Sequence, residues 1–189
     1  MKEQLAKWIR IATVAPVGAA VLLTVLRAVQ PGFYAAVWHY WYALGSLVLV
    51  PLLAYPVSWA LRSSRARQRK LAVLFSLAGY FLLLVLCIAA PVSGAECAVY
   101  LTYMLSVLVV ALTSRFPKLR ASGHACGVSG PLTVLIYLHG LRWLAPGLAV
   151  LAAVFWSSIT LGRHTLRQLL LGAAAPAVIF LAFAAVGMV

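Results

Sequence analysis

The sequence almost entirely lacks acidic side chains. It contains no Asp, and its two acids are Glu3 and Glu96, against 15 Lys and Arg, so the formal net charge is +13. Only 9% of the 189 residues are charged and 65% are hydrophobic, whereas about 25% of the residues of a soluble domain are charged. This composition indicates an integral membrane protein. With so few carboxylates, the sequence also argues against a divalent metal site.

Metal-ligating side chains are scarce as well. Cys87, Cys97 and Cys126 have no CxxC or Cys/His zinc spacing. Cys87 and Cys97 would be able to pair at an oxidising membrane face, but free thiols are the favoured interpretation. His39 and His139 have apolar or aromatic neighbours, which favours a packed or interfacial role for each. We therefore predict no metal and no cofactor.

Long apolar segments dominate the chain, and a membrane span needs about 20 such residues. We predict an all-α polytopic transmembrane helix bundle with six to seven spans, in a single transmembrane domain over residues 1–189. Pro51 and Pro56 predict a kink in the second segment, and the sixth segment is short. The candidate segments are roughly 8–28, 35–61, 71–90, 97–113, 122–139, 146–161 and 167–188.

The basic residues predict the orientation of the bundle. With seven spans, all Lys and Arg residues except Arg27 and Arg142 lie at one face, which the positive-inside rule identifies as cytoplasmic. The same rule explains the sequence pI of about 10.4, so we predict no nucleic-acid partner. The basic cluster at 62–70 is interpreted as a topology determinant rather than a site for anionic head groups. The expected location is the plasma or inner membrane.

Two polar segments interrupt the second half of the chain at this face. In the later one, His164 and Gln168 are four residues apart and share a helix face if the last helix begins near His164. The amide oxygen then accepts the Nδ1–H of the imidazole and leaves Nε2 free as a nucleophile or base. Arg163 and Arg167, on an adjacent face, are suited to binding an anion.

The earlier polar segment has a matching set of groups. Because both segments lie on the same predicted face, we expect them to converge on an anionic substrate. The groups are the cations Lys118 and Arg120, the Ser122 hydroxyl, the Gly123 backbone N–H and the His124 imidazole as a proton donor.

These segments resemble motifs of the type 2 phosphatidic acid phosphatase superfamily, which are membrane lipid phosphatases. The family pattern is Lys-x6-Arg-Pro, then Pro-Ser-Gly-His, then Ser-Arg-x5-His-x3-Asp. Ala121-Ser122-Gly123-His124 resembles the second motif with Ala in place of Pro, and Ser157 to Gln168 fits the third in spacing. The resemblance covers roughly residues 97–188.

The chain departs from the family pattern in three places. It has no Lys-x6-Arg-Pro, and Arg120 takes that place as in a short branch with a Lys-x-Ser-x-His motif. Gln168 replaces the family Asp, in a His-Thr-x-x-Gln version similar to that branch and to the dolichyl diphosphatases. Ser158 replaces a phosphate-binding Arg, for which Arg163 is a partial substitute.

The resemblance implies a metal-free phosphatase acting on the phosphomonoester or diphosphate of an isoprenoid, polyprenyl or phosphatidate lipid. His164 would form a phosphohistidine, with Gln168 holding its tautomer, and His124 would protonate the leaving oxygen. A neutral Gln does not stabilise the imidazolium as Asp does, so the expected enzyme is slower than the family norm. The groups expected to neutralise phosphate charge are Lys118, Arg120, Ser122, Gly123, Ser158 and Arg163.

Two other interpretations remain open on the sequence. Ser158 and the missing first motif favour a catalytically impaired relative that binds anionic lipid or acts as a membrane interaction protein. Cations at span ends are also found in small anion transporters, although the chain has no pair of matching broken half-helices. The sequence leaves the oligomeric state open.

Overall fold

The computed structural model describes residues 1–116 and 118–189, and within them the chain folds almost entirely into helices, with no strand. This confirms the predicted all-α fold. The helices are α1 (Lys2–Ala12), α2 (Ala15–Val29), α3 (Val37–Ala60), α4 (Arg65–Ala89), α5 (Gly94–Thr113), α6 (Gly123–His139), α7 (Leu144–Thr160) and α8 (Leu166–Ala185).

Five of these helical segments are long and apolar enough to cross a membrane, which is compatible with an integral membrane protein. They are α3, α4, α5, α8, and α7 together with the 3₁₀ turn before it. The first predicted segment is not one straight helix, because α1 and α2 meet at a bend of 48°, and the pair makes a sixth span if it is counted as one. Helix α6 has 17 residues, so at about 1.5 Å per residue it is shorter than a hydrocarbon core.

Helix α3 is irregular in the region where the sequence predicts a kink. Its hydrogen bonding changes to the π type over Gly45–Leu49, immediately before Pro51. A second break follows at Leu53, before the turn of helix that contains Pro56. Proline has no N–H to donate, so the helix ladder loses bonds at both positions.

Helix α6 lies in the interior and packs against α2, α5, α7 and α8. Small residues allow this close approach, as is common between membrane helices. A Cβ at Gly127 would lie 2.8 Å from the Ala15 Cα, and one at Gly18 would lie 2.6 Å from the Gly127 carbonyl oxygen. This packing brings the start of α2 next to the start of α6, at the end of the bundle that carries both polar segments.

The opposite end of the bundle holds a buried polar cluster around Glu96. Its carboxylate accepts hydrogen bonds from the Tyr100 hydroxyl at 2.8 Å and the Ala35 N–H at 3.2 Å, and it lies 3.0 Å from His39 Nδ1. His39 is therefore a packed histidine, as predicted, but its partner is a carboxylate. The cluster joins α5 to α3 and to the loop before it.

Replacing Glu96 should destabilise the protein because three donors would lose their acceptor. We expect Glu96→Ala to lower the free energy of unfolding by about 3–5 kcal/mol, as for other broken buried pairs. Glu96→Gln, which keeps one acceptor oxygen, should cost less. Thermal unfolding in detergent measures both, with Glu3→Ala as the exposed control, and equal melting temperatures for all three variants would contradict this role.

Candidate functional site

The two polar segments meet where α6 and α8 begin. The Ser122 N–H donates to the Gln168 carbonyl oxygen at 3.0 Å. One turn further along α8, Gly172 lies so close to the Ser122 backbone that an added Cβ would be 2.8 Å from its nitrogen. This contact fixes the two helix starts side by side, so the groups on the two segments share one end of the bundle.

His164 and Gln168 are in contact, but not in the way that their spacing suggests. His164 Nδ1 lies 3.0 Å from Gln168 Oε1, yet α8 begins at Leu166, so His164 precedes the helix. The contact arises from a capping box in which Thr165 Oγ1 accepts the Gln168 N–H at 3.4 Å and Gln168 Oε1 accepts the Thr165 N–H at 3.3 Å. Among the described residues, Nε2 of His164 has no hydrogen-bond partner.

A glycine turn at the end of α7 delivers His164 to this position. The Gly162 N–H donates to the Ile159 carbonyl and the Arg163 N–H donates to the Ser158 carbonyl, each at 2.9 Å. Gly162 has a φ of +59°, and the two bonds form a Schellman motif, which favours glycine at this position. The turn therefore holds Arg163 and His164 over the end of α7, where Ser158 is fully buried.

Arg10 of α1 enters the site, and no sequence pattern marked it. Its Nη1 donates to Ser158 Oγ at 2.7 Å and its Nη2 lies 3.3 Å from His124 Nδ1. His124 Nε2 lies 3.1 Å from the Arg10 carbonyl oxygen. Because a guanidinium only donates, Nδ1 of His124 accepts and its Nε2–H donates. Arg10 thus contacts both ring nitrogens and holds His124 in its neutral form.

The other groups predicted for the site differ in their contacts with it. Arg120 Nη2 donates to the Arg163 carbonyl at 3.2 Å, and its buried Nε has no partner among the described residues. The Ser122 hydroxyl caps α6 by accepting the Ala125 N–H at 3.4 Å. Gly123 follows in the first turn, where an added Cβ would meet only Val110, at 3.8 Å. Lys118 is exposed, with no contact to these groups in the described part of the chain.

The electrostatics of the site are dominated by uncompensated positive charge. Burial lowers the pKa of His164; the hydrogen bond with Gln168 opposes this, and the charges of Arg120, Arg10 and Arg69 lower the pKa further. Of the two acids, Glu3 is exposed near the start of α1, and Glu96 is buried at the opposite end of the bundle. A neutral imidazole among guanidinium groups is an arrangement suited to an anion.

Within the described ranges, no three His, Cys, Asp or Glu side chains are grouped so that they could hold a metal ion. Comparison of the chain with known protein families, with curated proteins and with solved structures finds no match.

Proposed function

We propose that this protein is an integral membrane phosphatase that hydrolyses the phosphomonoester or diphosphate of a lipid through a phosphohistidine on His164. The lipid is of the isoprenoid, polyprenyl or phosphatidate type. The observation that carries the proposal is the hydrogen bond of 3.0 Å between His164 Nδ1 and Gln168 Oε1, which leaves Nε2 available beside several guanidinium groups. A neutral, oriented imidazole next to anion-binding groups has the requirements of a phosphoryl acceptor.

In the first step, His164 Nε2 attacks phosphorus and the bond from phosphorus to the leaving oxygen breaks. Gln168 Oε1 holds the Nδ1–H, so the lone pair stays on Nε2. Negative charge on the transferring phosphoryl group is stabilised by Arg120, Arg163 and the Gly123 N–H, and the positive charge of Lys118 contributes to this stabilisation. His124 protonates the leaving oxygen, for which it must first take up a proton at Nδ1, the atom that Arg10 Nη2 now contacts.

In the second step, water attacks phosphorus and the bond from phosphorus to Nε2 breaks. The water proton is taken up by the His124 ring, and inorganic phosphate leaves. Neither step requires a redox partner or a metal ion. The apolar tail lies along α8, where a groove lined by Leu166, Arg167, Leu170, Leu171 and Ala174 begins beside the site.

We propose the following membrane arrangement. The bundle crosses the membrane six to seven times, with α6 as one of the crossings. The site faces the cytoplasm from the plasma or inner membrane, because the basic connections lie at that end.

One observation favours a second candidate, a relative that binds anionic lipid without turning it over. Both ring nitrogens of His124 are occupied by Arg10, at 3.3 Å and 3.1 Å. A histidine held in this way cannot donate a proton to a leaving group until Arg10 moves. In a binding protein no such movement is needed.

Phosphate release from a lipid panel separates the two candidates. We expect the wild type, in detergent with EDTA, to release phosphate from phosphatidic acid or from a polyprenyl phosphate or diphosphate. His164→Ala should lower the rate by at least about 10³-fold, the scale of a lost covalent step. His139→Ala, at the opposite end of the bundle, is the matched control. Folded wild-type protein that releases no phosphate from any lipid would support the binding candidate.

The pH dependence of the reaction tests the part assigned to Gln168. The neutral imidazole attacks, so kcat/KM should stay high below the pH at which an ordinary histidine becomes protonated, because the pKa of His164 is lowered. In Gln168→Glu a carboxylate replaces the amide at the same length and favours the imidazolium. The acid limb of the profile should therefore move up by about one pH unit or more. An unchanged acid limb would contradict the contact between these two residues.

A further inference from the structure

We infer that Arg10 is an anion ligand of this site, so that α1 supplies the guanidinium that binds a phosphate oxygen beside Ser158. This inference deepens the proposed function and rests on it for the identity of the anion as a phosphate group. The residue lies outside the part of the sequence that contains both polar segments, and only the fold brings it to them.

The guanidinium of Arg10 lies inside the site. Helix α1 packs along α7, and Arg10 extends from it to the end of α7, where Ser158 is fully buried. The bond of 2.7 Å to Ser158 Oγ uses one of its terminal nitrogens, and the second terminal nitrogen lies 3.3 Å from the His124 ring. The guanidinium thus lies between two residues that the sequence assigned to phosphate binding and proton transfer.

Arg10 has no counter-charge among the described residues. Arg10 is half-buried, yet its hydrogen-bond partners, Ser158 and His124, are neutral, and the charge of Arg163 that acts on it has the same sign. A charged group removed from water is costly unless it is paired. Since the chain has only Glu3 and Glu96 as acids, an anionic ligand is the partner that this end of the bundle can acquire.

Anion binding would change the contact between Arg10 and His124. A phosphate oxygen near Ser158 and Arg163 competes with His124 Nδ1 for the hydrogen bond of Arg10 Nη2. If the guanidinium turns to the anion, Nδ1 of His124 regains a free lone pair and can take up a proton. Binding of the phosphate group would then itself prepare the proton donor that the first chemical step needs.

Two measurements on one set of variants test this role. The variants are Arg10→Gln, Arg10→Lys and Lys7→Gln, the last being an exposed cation one turn away on the same helix. Binding of inorganic phosphate is followed by calorimetry, and kcat/KM is measured on the best lipid phosphate of the panel. Thermal unfolding shows whether each variant is folded.

We expect Arg10→Gln to weaken phosphate binding at least about tenfold and to lower kcat/KM by about 10²-fold or more, as for other lost charge-stabilising donors. Arg10→Lys should recover only part of the loss, because an ammonium cannot donate in two fixed directions. Lys7→Gln should match the wild type. An Arg10→Gln protein that is folded and binds phosphate as tightly as the wild type would overturn the inference.

If Arg10→Gln is unstable, Arg10→Lys keeps the test decisive, because a folded Arg10→Lys protein that binds phosphate as tightly as the wild type would overturn the inference. A relocated guanidinium gives a second test, by gain of binding. Nη1 of Arg10 lies at Ser158 Oγ, so Ser158→Arg in the Arg10→Gln background returns the cation to nearly the same place. We expect the double variant to bind phosphate more tightly than Arg10→Gln, and Ser158→Arg alone to bind worse than the wild type, because two cations would share one small volume. A double variant that binds no better than Arg10→Gln would count against the inference.

The outcomes separate this inference from the proposed function. Arg10-dependent phosphate binding without release from any lipid would reject the phosphatase and keep the ligand. Lipid hydrolysis by the wild type, equally fast in folded Arg10→Gln, would keep the phosphatase and reject the ligand. Binding of short-chain phosphatidic acid but not of inorganic phosphate would identify the anion as a lipid head group.

Discussion

The site depends on positive charge that the chain itself does not neutralise. Basic side chains gather at one end of the bundle, including Arg10, Arg120 and Arg163. Within the described ranges, the only carboxylate beside a basic side chain is that of Glu96, which contacts His39 at the other end. The guanidinium groups of the site therefore bind neutral acceptors: Arg120 a backbone carbonyl, and Arg10 a hydroxyl and an imidazole. Neutral acceptors satisfy hydrogen bonds but do not remove charge. An anion does both.

Much of this arrangement was predictable from short stretches of sequence, because the interactions that form it join residues close together in the chain. Apolar length predicted helices, and five of them, or six with the bent pair counted as one, are long and apolar enough to cross a membrane. The spacing of His164 and Gln168 predicted their contact, which the structure contains at 3.0 Å. The reason differed, because His164 precedes α8 and the capping box of Thr165 and Gln168 holds the contact. That signature, Thr-x-x-Gln before an apolar run, was readable in the sequence.

Contacts between distant parts of the chain were not predictable in the same way. Arg10 and Ser158 are 148 residues apart, and nothing in the local pattern distinguishes Arg10 from the basic residues that set topology. The partner of His39 was missed for the same reason, since Glu96 is 57 residues away. In both cases helix packing decides the pairing, and a single sequence contains no record of that packing.

Gln168 accepts several hydrogen bonds at once, so its replacement affects more than the contact with His164. Its Oε1 accepts from both His164 Nδ1 and the Thr165 N–H, and its carbonyl accepts the Ser122 N–H. Asp, the residue of the family pattern, is one methylene shorter, so it would change the reach to His164 and the capping box together with the charge. Glu keeps the length of the side chain and is itself a favoured residue of the capping box, although it replaces the amide NH2 by an oxygen as it adds the charge. For this chain, Gln168→Glu is therefore the replacement that introduces a carboxylate beside the imidazole with the least change in reach.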